Sequence, residues 1–336
     1  LALANPPRFA AVGAQERIQP SRLPWNRAKN ILRRYRYWKG VLDAIADQKL
    51  DLVLITSECY DPLFYIAQPQ FAFGLFILNP RLYIYKPAEA RGLIRGVLFS
   101  FYKRRYRQWA HGAAFTVTTN EPPMIPELEA LLGIPRIPWL PNLYLPDAQH
   151  AASGAKKDAA YDFLTIGTIS KSKSHLFALD TFAKLNLPYR YHVAGLARDQ
   201  TGRDVEEKVN ALQADPRFNI SGLFGYIDDQ AYVQRIQDTK FMLLPYDFAR
   251  GNISSQVMHE CFIHGVPIVA PAIQPFKWYV ERYGIGILYA EGDSESLAQA
   301  LKKALDMGPE AYTEGFAQLR ADNSLASAKR TLSAHI

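Results

Sequence analysis

Apolar and polar positions along this chain alternate between short apolar runs and longer segments of helical period. Leu52 to Ile55, Leu75 to Leu78 and Ala114 to Thr118 are apolar runs of strand length. Leu82 to Tyr85 is another, set off by Asn79 and Pro80. The first 30 residues hold Pro6, Pro7, Pro20 and Pro24, with one short strand expected around Phe9 to Val12. Ile31 to Gln48 and Arg91 to Trp109 read as helices, and Ile125 to Leu132 as a shorter one behind Pro122 and Pro123. From Phe163 the alternation is regular. A strand to Ile166 and a polar turn to Ser174 precede a helix from Leu176 to Leu185, and the strand Tyr191 to Ala194 ends at Gly195. A helix from Asp204 to Ala214, the strand Ile220 to Phe224 ending at Gly225, and a helix from Gln230 to Gln237 follow. The strands Phe241 to Leu244, Val266 to Ala270 and Ile285 to Leu288 come next, then an N-cap at Asp293 and the helix Glu295 to Leu305. Strands alternating with helices of this length predict an α/β fold with a doubly wound parallel sheet.

One stretch concentrates the chemistry. Residues 241–271 read FMLLPYDFARGNISSQVMHECFIHGVPIVAP. Pro245 ends the strand ladder because it brings no N–H. Gly251, Asn252, Ser254 and Ser255 supply a turn and an N-cap, where small and hydroxyl residues satisfy the unpaired amides of a starting helix. Val257, Met258, Cys261 and Phe262 make one apolar face, and Gly265 a left-handed stop after His264. A helix N-terminus beside the carboxyl end of a parallel strand attracts anions, since free N–H groups and the helix dipole point there, so a phosphate is expected.

Glu260, Cys261, Gly265, Pro267, Val269 and Ala270 resemble the donor-nucleotide motif of GT-B glycosyltransferases. The likeness is to the large retaining family (glycosyltransferase family 4-like) with E-x(7)-E followed by an Ala-Met-Ala-x-Gly-x-Pro-Val-Val-Ala type run. In that family the second Glu holds the ribose hydroxyls, the intervening amides hold the diphosphate, and the first Glu contacts the donor sugar. The resemblance therefore implies a ribose contact at Glu260 and diphosphate contacts at Ser254 and Ser255, with Gly251 a further donor-site candidate. The first acidic position is here the neutral Asn252.

The run Gly167 to Ser174 stands where the family has Gly-Arg-Leu-x-x-x-Lys-Gly, which matches Lys173 to the lysine that neutralises the donor diphosphate. Thr168 replaces the arginine. A lysine pair in a serine-rich turn is by itself more often only solvated; the place after the first strand of a domain favours Lys173, while Lys171 stays open. Arg250 could supply the charge that Thr168 lacks, or be a loop arginine. Gly225-Tyr226-Ile227 is either an ordinary strand-to-helix turn or the turn on which the family rests the nucleotide base. Leu140-Pro141-Asn142 resembles the family's hinge-side Ile-Pro-Asn.

A chain of 336 residues suggests two domains. The small, polar stretch from Ala148 to Ala160 is the expected linker. The expected division is a basic, acceptor-binding domain over 1–147, a linker over 148–160, a donor-binding Rossmann-like domain over 161–310, and a C-terminal helix over 311–336 packing back on the first domain. The resemblance implies two such domains facing across a cleft (GT-B). The family's first strand with its glycine-rich turn is not recognisable near the N-terminus, and the chain starts at Leu1 rather than Met, so an incomplete N-terminal domain is allowed for.

Charge changes this picture at one end. Residues 1–150 carry 19 Lys and Arg against 11 Asp and Glu, a net +8 that exceeds the +7 of the whole chain. Arg33, Arg34 and Arg36 lie among aromatic residues, as do Lys103, Arg104, Arg105 and Arg107 near Trp109. Each cluster alone is commonly a solvated face; two of them in the half holding the excess charge point to an anionic membrane surface, on which Tyr and Trp favour the headgroup region. No nucleic-acid reader motif occurs, and nucleic acid is not expected. Cys59 and Cys261 lack metal or disulfide spacing, the histidines show no ligand spacing, and no Asp-x-Asp motif is present, so neither metal nor cofactor is expected. No apolar run reaches the roughly 18 residues of a transmembrane helix.

The best-supported expectation is a metal-independent glycosyltransferase of hexosyltransferase type. It would take a UDP- or GDP-linked sugar to a glycan or lipid-linked acceptor of the cell envelope, as a cytoplasmic protein peripheral on the inner face of the membrane, with Lys173, Asn252 and Arg250 as catalytic candidates. A non-catalytic GT-B scaffold binding a nucleotide or membrane partner is the alternative. A third reading is a basic membrane or nucleic-acid binding protein with no donor site.

Overall fold

The computed structural model describes residues 115–144, 159–247 and 255–334, the backbone of strands β1 (Leu52–Ile55) and β2 (Gly74–Leu78), and single helical positions at Arg36, Ser100 and Arg104. The chain divides into two compact units, Leu1–Leu50 with Cys59–Ala72 and Asp51–Glu58 with Phe73–Ile336; the elements below belong to the second. The expected strands at Phe9 to Val12 and Leu82 to Tyr85 lie outside the described residues.

Strand β3 (Phe115–Thr118) completes a parallel sheet in the order β1-β2-β3, and α1 (Ile125–Leu132) follows behind a short 3-10 turn at Pro122–Met124. A second sheet is formed by β4 (Tyr161–Ile166), β5 (Tyr191–Gly195), β6 (Ile220–Phe224), β7 (Thr239–Leu243), β8 (Ile268–Pro271) and β9 (Gly286–Tyr289). All its pairings are parallel, in the order β6-β5-β4-β7-β8-β9. The connections are α2 (His175–Lys184), α3 (Gln200–Gln213), α4 (Asp229–Gln237), α5 (Gln256–His264) and α6 (Phe276–Tyr283). Helices α7 (Ser294–Met307), α8 (Thr313–Asp322) and α9 (Leu325–Ser333) finish the chain. The α/β fold with a doubly wound parallel sheet is as expected.

The core follows from the apolar runs. Phe163, Leu164, Val193, Phe241, Met242, Leu243, Ile268 and Val269 are buried, which fits strands covered by helices on both faces. Phe182 stacks on Tyr191 with centroids 4.6 Å apart. Elements lie where local signals are strong. Gly265 ends α5 in the left-handed conformation at φ 69°, and the Asp293 side chain accepts from the Ser296 amide to start α7. Helix α3 begins four residues before the expected Asp204, because Asp199 caps it by accepting from the Gly202 amide. Helix α6 was not expected: its N-cap position is Pro275 and no side chain caps it, so the usual start signal is missing. Among the described residues no helix is long and apolar enough to cross a membrane.

Candidate functional site

The chain passes from β4 outward to β6 and returns to β7, so the order of the larger sheet reverses between β4 and β7. Loops leaving the carboxyl ends of strands diverge at such a point and open a crevice. The two loops here are tied together, with the Asp247 amide donating to the Ser172 carbonyl at 2.9 Å. Beside them three strand-ending glycines bring backbone into close approach. The Gly167 amide donates to Ala194 and the Gly225 amide to Gly195, each at 3.0 Å. A Cβ at Gly195, where φ is +155°, would stand 1.7 Å from the Gly167 carbonyl oxygen, so the approach requires glycine.

Lys173 lies on a 3-10 turn, Lys171–Lys173, in the loop after β4. Its Nζ lies 5.6 Å from the centroid of the Tyr246 ring and next to Gly167. Burial pushes its ammonium down to about 8, and no carboxylate contributes to the shift. A half-buried cation with no carboxylate partner among the described residues suits an anionic ligand. Next in the chain, His175 is buried with no hydrogen-bond partner on either ring nitrogen; burial, then Lys173, push it down to about 3 and keep it neutral.

Helix α5 brings its N-terminus to the same place. Ser255 caps it, accepting from the Met258 amide at 3.2 Å and donating to the Tyr246 hydroxyl at 3.4 Å. Val257 lies 3.5 Å from where a Cβ of Gly167 would be. Tyr246, whose hydroxyl burial pushes up and keeps protonated, thus touches both Lys173 and the helix cap. One turn further along α5, Glu260 is half-buried, with one carboxylate oxygen accepting from Gln256 Nε2 at 2.8 Å. On α4, Tyr232 feels its charge: burial first, then Cys261 and Glu260, push that phenol up.

The structure therefore brings Lys173, Gly167 and Ser255 together, with Glu260 further along the same helix. Thr168 is exposed. Tyr226, 83% exposed, and Ile227, packed against the core, form the turn after β6. Arg250, Gly251, Asn252 and Ser254 lie outside the described residues, as do Arg33, Arg34, Lys103, Arg105, Arg107 and Trp109; Arg36 and Arg104 are exposed helical positions.

Sequence reading missed Tyr246, whose only local mark is its place after Pro245, and a buried polar group behind α5. There His259 Nε2 lies 3.0 Å from a Glu121 carboxylate oxygen, its Nδ1 lies 2.7 Å from the Tyr144 hydroxyl, and the Tyr279 hydroxyl donates to the other Glu121 oxygen at 3.4 Å.

No protein-family model and no curated protein matches this chain. Solved structures do. A glycosyltransferase from Rickettsia africae superposes with a TM-score of 0.62 at 12% identity, over 94% of this chain and 82% of that one. Sucrose-phosphate synthase from Thermosynechococcus elongatus gives 0.62 at 15% identity, over 92% and 78%. The Anabaena protein HepE, in complex with UDP and glucose, gives 0.58 at 12% identity, over 94% and 83%. At these identities the likeness shows the fold, which is the α/β fold of GT-B glycosyltransferases.

Proposed function

We propose that this protein is a glycosyltransferase that moves a sugar from a nucleoside-diphosphate donor, UDP- or GDP-linked, to a glycan or lipid-linked acceptor. One observation carries the reading: a half-buried ammonium at Lys173, with no carboxylate partner among the described residues, meets the capped N-terminus of α5 where the sheet order reverses. A diphosphate fits both, since the helix offers N–H donors and a positive dipole end and Lys173 offers charge. Glu260, on the same helix, is suited to accept two ribose hydroxyls. Charge on the leaving diphosphate grows toward the transition state, so a fixed ammonium and preorganised amides favour departure through electrostatics and positioning. Arg250 and Asn252 complete the proposed sugar end of the site, and Tyr226 and Ile227 the base end. The basic half of the chain, including the exposed Arg36 and Arg104, would hold the protein against the inner face of an anionic membrane.

The neutral Thr168 and Asn252 favour a second reading, a scaffold that binds nucleotide without turnover. A panel of nucleoside diphosphates and their sugars separates the two. Ligand that binds only the folded state raises the melting temperature, and release of nucleotide in the presence of acceptor then marks catalysis. A protein stabilised by no nucleotide in the panel would have no donor site.

A further inference from the structure

Behind the donor edge lies a buried carboxylate with no part in the chemistry proposed above. Glu121, 2% exposed, follows β3 and sits at the head of the Pro122–Met124 turn. Its partner His259, 8% exposed, immediately precedes Glu260 on α5. A carboxylate only accepts, so His259 Nε2–H donates to Glu121, which leaves Nδ1 to accept a hydrogen bond from the Tyr144 hydroxyl. Tyr144 also stacks on the imidazole, with centroids 5.8 Å apart and planes 27° apart. The two gripping segments are themselves joined, since Asn120 Nδ2 donates to Asn142 Oδ1 at 2.7 Å and the Leu140 amide to the Thr119 carbonyl at 2.9 Å.

Apolar packing would bury this helix face as well, and a buried carboxylate is costly unless it is well paired. What directional bonds add is a fixed rotation of the helix about its axis. Successive residues on a helix lie about 100° apart, so holding His259 at both ring nitrogens sets the bearing of Glu260. We infer that Glu121 and Tyr144 are positioning residues that act through His259 to aim the Glu260 carboxylate, and so govern recognition of the nucleotide's ribose. The inference deepens the donor-site reading and rests on it.

Ribose recognition gives a readout that general loosening would not move. Calorimetry would compare UDP with 2′-deoxy-UDP, and GDP with 2′-deoxy-GDP, on the full chain. The wild type should prefer one ribonucleotide by about tenfold or more, the worth of a hydrogen bond to a charged group. Glu121→Leu and Tyr144→Phe should erase most of that preference while leaving 2′-deoxynucleotide affinity within about threefold. Glu121→Gln should retain most of it, because its amide oxygen still accepts from Nε2–H. In the double variant Glu121→Leu with Glu260→Ala, the loss of preference should equal that of Glu260→Ala alone, as expected for residues acting through one contact. Tyr144→Phe removes a single oxygen, which keeps the test open if Glu121→Leu fails to fold. Intact ribose preference in folded Tyr144→Phe and Glu121→Leu, or an equal fall for both sugars, overturns the inference while the donor site stands. A wild type that binds neither nucleotide removes the donor site and the inference together.

Discussion

The ammonium of Lys173 rests so close to Gly167 that a Cβ on residue 167 would stand 3.1 Å from Nζ. Gly167 also has φ +109°, a conformation costly for any residue with a side chain. Gly167→Ala therefore strains the turn and crowds the cation together. The expected outcome is a folded protein with a lower melting temperature and at least about tenfold weaker nucleoside-diphosphate binding, about 1.4 kcal/mol. Full affinity in this variant would separate Lys173 from the phosphate site.

The lowered Lys173 value has a consequence for stability. The fold holds the ammonium at about 8, below its ordinary 10.5, so between these values the unfolded chain binds the proton more readily and stability rises with pH. Below pH 8 the full cost of the buried charge is present, about 3 kcal/mol. Lys173→Met should raise the melting temperature by a few degrees at pH 7, an advantage that fades toward pH 10.5. The same variant should lose nucleotide binding, and wild-type affinity should fall above about pH 8 as the ammonium deprotonates. Melting curves for both proteins at pH 7 and pH 10 test this; a constant difference between them would contradict it.

Gly195 and Gly225 end neighbouring strands and should respond oppositely to alanine. At Gly195 the new methyl would meet the Gly167 carbonyl oxygen at 1.7 Å, whereas at Gly225 nothing lies within 4 Å. Gly195→Ala is expected to destabilise by more than about 3 kcal/mol or to displace Gly167 and abolish nucleotide binding. Gly225→Ala should change stability by no more than about 1 kcal/mol. Chemical denaturation of the two variants side by side decides the matter.

The larger sheet was legible in the sequence because its signals are local. The strand at Ile220–Phe224 has the expected bounds, and Ser255 and Gly265 delimit α5 by side-chain capping and by left-handed backbone. Lys173 and Glu260 could be named from their places in short motifs. The clamp on His259 could not, because Glu121 is 138 residues away and Tyr279 is 158 residues from Glu121. No periodicity links such positions; only the folded sheets bring them together. Tyr246 escaped for a related reason, since a tyrosine after a strand-ending proline carries no mark of the lysine it will cover.

Glu260→Ala isolates the ribose contact. A carboxylate accepting two hydroxyl bonds should be worth roughly 1.5 to 3 kcal/mol for each. Nucleoside-diphosphate affinity should accordingly drop by about a hundredfold or more, while inorganic pyrophosphate, which on this reading needs only Lys173 and the helix amides, should bind as before. Gln256, which donates to Glu260 at 2.8 Å, is a milder control: Gln256→Ala leaves the charge in place and should weaken binding by less. Unchanged nucleotide affinity in folded Glu260→Ala would remove the ribose assignment.

The basic half of the chain gives a prediction independent of the donor site. Each Lys or Arg near an anionic bilayer contributes about 1 kcal/mol, so several acting together give reversible docking without insertion. Such attraction weakens as salt rises, because exposed charges are screened beyond about 8 to 10 Å at physiological ionic strength. Replacing Lys103, Arg104, Arg105 and Arg107 by Ser removes four of these charges from a half whose excess is +8. Co-sedimentation in low salt with phosphatidylserine-containing vesicles should therefore pellet the wild type, pellet far less of the variant, and show little binding to phosphatidylcholine vesicles alone. Nucleotide affinity should be the same in both proteins, since Lys173, Ser255 and Glu260 lie on other elements. Equal pelleting with neutral and anionic vesicles, or no pelleting of the wild type, would turn the basic surface toward a soluble anionic acceptor instead.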